Sequence, residues 1–497
     1  MSYNLLKTGL SLLCLVLVLN NARAGNGTYN VRDYGATGDG RSLDSKAINK
    51  AIETAAAAAG GTVYLPAGNY RCGSIHLQSN IALFIDQGAT IIADSVSASN
   101  GYDEEEAGAD NNYQDYGHSH WHNSLIWGEH LHDVSILGTG TIWGKGLYRS
   151  SVSSAMGKQT ANKAIALLLC RNVLIRDVTF LHAGWFAILA TGVDNLTIDD
   201  LKMDTNRDGM DIDCCKNVHV SNCSVNSPFD DGICLKSSYA LGYARPTENV
   251  TITNCLVMGY IEGSFLDGTY RRVDTGGKTN WHRTGRIKMG TESNGGFKNI
   301  AISNCVFEYC HGLALETVDG GLLEDVAISN ITMRDIIDAP VFIRLGGRMR
   351  GPSGTPVGAL RRIMISNIVA YNLDSTQGIL ISGIPGHDIE DVELKDIKLY
   401  YKGGGTEEQA KREIPPLEKG YPEPSAFGTT PSYGLYARNV NGLILDDIQL
   451  NLLADDRRPA VYLDSVSHAE LRFLAVPKGE GDSSIVKRNC TEIRSVN

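Results

Sequence analysis

The chain has 497 residues, 42% hydrophobic and 20% charged, with a formal net charge of −11. That is enough apolar material for a large core. An acidic balance without a Lys/Arg block excludes nucleic acid and an anionic membrane surface as main partners.

The first 24 residues read as a signal peptide. Lys7 is the basic flank, GLSLLCLVLVL an apolar core of eleven residues, and Ala22-Arg23-Ala24 a small-x-small cleavage site before Gly25. The apolar run is too short to span a bilayer, so no membrane insertion is expected. The remainder, 25–497, reads as one exported domain, periplasmic or extracellular. Leu43–Gly61 (LDSKAINKAIETAAAAAGG) has a helical pattern ending at glycines. It is placed as a cap over the open end of a solenoid.

The solenoid is read from a repeated phrase. NVLIRDVTF begins at Asn172, NLTIDDLKM at Asn195, NVHVSNCSV at Asn217, NVTITNCLV at Asn249, NIAISNCVF at Asn299, DVAISNITM at Asp325 and RIMISNIVA at Arg362. The intervals are 23, 22, 32, 50, 26 and 37 residues. The 50 is read as two turns plus an insertion, the 32 and 37 as single turns with long loops. Period-2 alternation with β-branched residues argues short strands. Repeating them predicts an all-β fold, a right-handed parallel β-helix. A leucine-rich repeat is set aside because its leucine spacing is missing. The turn asparagines are expected to form an internal ladder. Cys223, Cys255 and Cys305, each after an Asn, are expected to stack in the core unbridged, with Cys310 and Cys490 left open. Residues 402–432, rich in Gly, Glu, Lys and Pro, read as a long surface loop.

Alternation then assigns faces. In GMDIDCC, Met210, Ile212 and Cys214 point inward and Asp211 and Asp213 outward. Lys236, Arg286, Lys288, Glu316 and Arg344 are outward on later turns. Asp208 begins one strand and Asp230-Asp231 the next, 22 residues later. Turns stack at roughly 4.8 Å, so the three carboxylates are expected within about one turn spacing. Such a cluster must hold at least one acid above its ordinary pKa. A proton-holding acid beside ionised carboxylates is what glycosidic cleavage requires. Asn206 is a candidate to bind substrate or orient Asp208. Trp185 is read equally as a sugar-stacking or a packed aromatic. His118, His120 and His122 alternate on a candidate strand face, but no matching spacing supports a metal there.

Four stretches carry a family resemblance. The entry YNVRDYGATGDGRSLDSKAINKAIETAAAAAGGTVYLPAGNY, GTGTIWGKG at 138–146, Asn206-Arg207-Asp208-Gly209 and Asp230-Asp231 together resemble glycoside hydrolase family 28, the polygalacturonases and rhamnogalacturonan hydrolases. The resemblance implies Asp230 as general acid, with Asp208 and Asp231 positioning and deprotonating water. It implies inversion of configuration at an α-galacturonosyl linkage, with carboxyl groups ~6.5–9.5 Å apart, and no cofactor. Asn206, Lys236, Arg286, Lys288, Glu316, Arg344 and Trp185 are the candidate substrate-binding residues. The expected partner is an acidic pectic polysaccharide or oligosaccharide, bound by a monomer. The order departs from the family's: RIK at 286–288 precedes His311-Gly312, and by repeat position Glu316 stands where a uronate-binding lysine is usual. That favours a mixed backbone such as rhamnogalacturonan, or exo attack, with insertions near 238–248, 257–285 and 347–360 closing one end. Phe229, where the family has glycine, has no assigned role. The competing readings are a calcium-dependent pectic lyase and a non-catalytic carbohydrate-binding adhesin.

Overall fold

The computed structural model describes residues 27–95, 101–106, 112–149, 161–273, 283–477 and 484–496. The signal-peptide segment lies outside the described residues.

Each turn of the solenoid has three strands. Phe186–Thr191 (β1), Asp194–Asp199 and Lys202–Asp204 make one turn, and Asp208–Asp213 (β2) begins the next directly above β1. Equivalent strands pair in parallel: Val173 with Leu196, Leu196 with Val218 and Val218 with Val250. Their inward residues join one apolar core running from Val31 to Leu471. Helix α1 (Ser45–Ala57) adds Ile48, Ala51, Ile52 and Ala55 to it, the 3–4 spacing of one helix face. The chain leaves the helix through Ala59 and Gly60, both at positive φ. A side chain on Gly60 would meet the Asn80 carbonyl at 2.5 Å, so glycine is required there.

The repeat's asparagines sit at strand corners in the left-handed region, which Asn tolerates. Asn172, Asn195, Asn217, Asn249 and Asn299 each donate from Nδ2 to the residue one turn earlier, at 2.7–3.1 Å. The ladder is therefore present, but it is exposed rather than internal. The positive φ turns each Asn out of the core. Cys223, Cys255 and Cys305 are buried in the core, and all ten described cysteines are free thiols, Cys310 and Cys490 among them.

Two expectations fail. The 50-residue interval is one turn, because Val250 pairs directly with Ile300. The described residues between Met258 and Ile287, 259–273 and 283–286, add no strand to the sheets. Cys214 does not point inward; it occupies a corner at φ 54°, with its thiol against Asp213 and Ser238, and Cys215 takes the core position.

Candidate active site

The sheet containing β1 and β2 continues through Ile233–Ser237 (β3), Ile287–Ser293 (β4), His311–Thr317 (β5) and Ile337–Leu345 (β6). Asp211 pairs with Cys234, Cys234 with Lys288 and Lys288 with Ala314. Glu316 pairs with Arg344 on the adjacent outward column. Repeat position, not literal motif order, thus fixes the stacking: Arg286 and Lys288 follow Asp231 directly.

At the entry to β2 and β3 the backbones are tied rung to rung. Gly209 N donates to Asp231 O and Met210 N to Gly232 O, both at 3.0 Å. A side chain on Gly209 would lie 2.4 Å from the Gly232 carbonyl, so the glycine after Asp208 lets the two acidic rungs close up. One carboxylate oxygen from each of Asp208, Asp230 and Asp231 lies within 4.8 Å of the others. The turn-spacing expectation holds. Their nearest oxygens approach more closely than the ~6.5–9.5 Å usual between inverting carboxyl groups, because all three groups enter from adjacent rungs of one sheet. A single water bridging two carboxylates at ~2.7 Å each fits the observed spacing.

The three acids are electrostatically unlike. Asp231 is buried, but Lys288 (3.2 Å), Arg286 (2.7 Å) and the field of Lys236 outweigh burial and hold it well below the usual carboxylate range. Asp208 is buried without a paired cation, and burial with Asp230 and Asp211 pushes it well above that range. Burial and Asp231 also raise Asp230, although Arg207 lies 2.6 Å from it. The side chain of Asp230 is 27% exposed, the most open of the coupled pair. The surroundings therefore favour the ionised form at Asp231 and the protonated form at Asp208 and Asp230.

The basic stripe is outward from the core yet covered. Lys236 pairs with Glu292 at 3.1 Å and Asp211 at 3.8 Å. Arg286 spans Asp231 and Glu423, and Lys288 reaches Glu423 at 3.7 Å and Glu316 at 3.8 Å. Glu316 is fully buried, makes no hydrogen bond from either oxygen, and is pushed up to about 8 by burial. Arg344 donates to the carbonyls of Pro416 and Leu417 and to Ser382, so it anchors chain rather than facing solvent. Trp185 is buried, stacked on Phe186 and covered by the Arg207 guanidinium 4.9 Å away. It is a packed aromatic. Asn206 reaches Glu262 at 3.5 Å, beside the pairs Arg149–Glu262 and His182–Glu262, each 2.7 Å.

The covering chain includes residues 402–432. Much of that stretch is exposed, as a surface loop is, but its residues 416–427 dock on the site. Phe427, in the short helix Pro424–Phe427, packs on Phe342, while Glu423 and Tyr421 reach Arg286 and Thr291. Nothing local in the sequence marks Glu423 or Tyr421; only the fold brings them here. The three histidines share no face. His118, in a 3-10 turn, lies 2.7 Å from Asp211, His120 stacks on Tyr116, and His122 stacks on Trp127 and pairs with Glu129. A concavity of about 600 Å³ elsewhere, lined by Asn217, His219, Thr251 and Arg362, contains none of these carboxylates.

Residues 28–156 match the family described as rhamnogalacturonase A/epimerase, pectate lyase-like, and residues 147–279 match the right-handed β-helix region. A probable polygalacturonase of Vitis vinifera is 25% identical over 325 residues, 61% of this chain and 60% of its own length. The chain is a right-handed parallel β-helix. It spans about 60% of the grapevine relative, and 4% of a mannuronan C5-epimerase, AlgE3 of Azotobacter vinelandii, which is 52% identical over 64 residues. Among solved structures, a Thermotoga maritima exopolygalacturonase superposes with TM-score 0.60 at 19% identity, covering 76% of this chain and 87% of that one. A family 28 exopolygalacturonase of Yersinia enterocolitica gives 0.63 at 16%, covering 94% and 78%. The pneumococcal surface adhesin PfbA gives 0.50 at 16%, covering 92% and 93%. The solenoid is thus shared by enzymes and an adhesin, and function rests on the site.

Proposed function

We propose that this protein is an exported glycoside hydrolase acting on pectic polysaccharide or oligosaccharide without a cofactor. The observation that carries the reading is the Asp208–Asp230–Asp231 cluster, three carboxylates within 4.8 Å of one another whose surroundings favour charge on Asp231 and a proton on the other two. Asp230, the more open of the coupled pair, donates to the leaving oxygen. Asp231 and the then-ionised Asp208 hold and deprotonate the attacking water, giving inversion by single displacement. The grapevine relative and the two exopolygalacturonases support the substrate class.

A calcium-dependent lyase would need the aspartates as ligands. Calcium takes six to eight oxygens, and Arg286 and Lys288 already occupy Asp231. An adhesin would need no split in protonation. The test is incubation of wild type and Asp230→Asn with defined pectic oligosaccharides. The hydrolase reading expects new saturated reducing ends, reduced by roughly 10²-fold or more in the variant. An unsaturated product lost on chelation, or equal turnover by the variant, would overturn it.

A further inference from the structure

His118 reaches the sheet of the carboxylate cluster from a segment that packs closely on it. Trp121 donates its indole N–H to the hydroxyl of Thr191, the last residue of β1, at 3.0 Å. A side chain on Gly117 would meet Phe186 at 2.8 Å and Trp185 at 3.1 Å, so a glycine lets the 3-10 turn lie against both rings. Between these anchors the His118 ring rests on Phe186, with centroids 4.9 Å apart, and 3% of the residue is exposed. Its Nε2 lies 2.7 Å from Oδ2 of Asp211. The ring donates from that nitrogen whether it is neutral or charged.

Asp211 shares β2 with Asp208 and is fully buried. Its Oδ1 makes no hydrogen bond, and Lys236 stands off at 3.8 Å while pairing more closely with Glu292 at 3.1 Å. Among the described residues, His118 supplies the one hydrogen bond this carboxylate has. A carboxylate sealed from water takes up a proton when its donor is removed. That charge bears on the cluster, because burial, Asp230 and Asp211 push Asp208 up against the opposing fields of Arg207 and Lys236. The other titratable groups around the dyad have their own partners. Asp213 accepts twice from Ser238, and Asp115 pairs with Arg350 at 3.0 Å. Cys234 faces Asp211 across the rungs, and burial pushes its thiol well up.

We propose that His118 is a positioning residue for the carboxylate cluster: its hydrogen bond keeps Asp211 ionised, and the charge so kept holds the proton on Asp208. Its link to catalysis rests on the hydrolase reading, in which the Asp208–Asp230 pair must keep a proton until the glycosidic oxygen takes one.

The test reads Asp208 with and without turnover. The full chain, labelled with aspartate carrying ¹³C at the carboxyl carbon, is titrated by NMR, and the Asp208 signal is the one missing from Asp208→Asn. His118→Phe keeps a packed ring and removes the donor, and should lower the Asp208 midpoint by about one pH unit. Asp211→Asn should lower it by the same amount. The double variant should lower it no further, because both changes remove one and the same charge. His118→Gln still offers an N–H and should recover most of the shift. A midpoint unmoved in either single variant, additive shifts in the double variant, or a glutamine variant shifted as far as the phenylalanine one would each overturn the proposal.

Kinetics on defined pectic oligosaccharides supplies the second reading. The basic limb of the kcat profile should move down in His118→Phe while KM stays, because the buried ring is sealed from the groove. A chain whose Asp208 responds as stated but which releases no saturated reducing ends keeps the positioning and defeats the hydrolase. Hydrolysis by a chain whose Asp208 is indifferent to His118 does the reverse.

Discussion

The Arg286 guanidinium bridges two carboxylates 192 positions apart in the chain: its Nε lies 2.7 Å from Asp231 and its Nη2 2.5 Å from Glu423. It holds Asp231 toward its ionised form and pins the docked 416–427 segment at once. Arg286→Met should lower kcat/KM by ~10²-fold or more and cost on the order of 3–5 kcal/mol, because it strips a buried carboxylate of one partner. Asp231 has a depressed folded-state pKa, so its stabilisation is present above its unfolded value of about 3.9 and is lost as pH falls through the folded one. Chemical denaturation at pH 7 and pH 3 should show the wild-type advantage shrinking in acid. Equal stability at pH 7 would contradict the assignment.

Arg207 lowers the pKa of both Asp208 and Asp230. Replacing it with Met removes a cation that favours ionisation, so the coupled pair keeps its proton to higher pH. The basic limb of the kcat/KM profile should move upward, with activity retained. A limb that stays in place or moves down would show that this pair does not supply the acid.

Asp208 carries the opposite stability sign to Asp231. Its folded pKa is raised, so its charged form destabilises the fold once pH exceeds the unfolded value. Asp208→Asn should abolish turnover yet raise stability at pH 7 by on the order of 1–2 kcal/mol. The gain should vanish near pH 3, as followed by thermal melts. A variant less stable at pH 7 would remove the claim of an uncompensated buried carboxylate.

The corner ladder is testable away from the site. Asn217 donates to Asn195, accepts from Asn249 and holds φ at 57°. Asn217→Ala loses both bonds and meets the left-handed penalty, for about 2 kcal/mol in total. Asn217→Gly keeps the backbone at ease and should recover roughly half. Equal losses would mean that the amide ladder alone matters.

What the sequence shows plainly is what repeats. Alternation in GMDIDCC, GICLKSS and GRIKMG puts Met210, Leu235 and Met289 inside and Asp211, Lys236 and Lys288 outside, because a pleat has a fixed period. The carboxylate cluster follows from the 22-residue step between Asp208 and Asp230. Insertions obey no period, so the 50-residue interval misleads, and a left-handed corner breaks the alternation at Cys214. Pairing is hidden for a different reason. That the cations Arg286, Lys288 and Lys236 are buried and matched depends on Glu423 and Glu292, which reach them from 137 and 56 positions away. An outward charge on a strand carries no mark of what will later fold over it.

The central claim is that Asp230 protonates a glycosidic oxygen while Asp208 and Asp231 deliver water to the opposite face of the sugar. Proton NMR of the anomeric region during the first turnovers of a defined pectic oligosaccharide tests it most directly. The account predicts a saturated product whose configuration is inverted before mutarotation, and no such product from Asp230→Asn. Retained configuration, or the same product from Asp230→Asn, would contradict it.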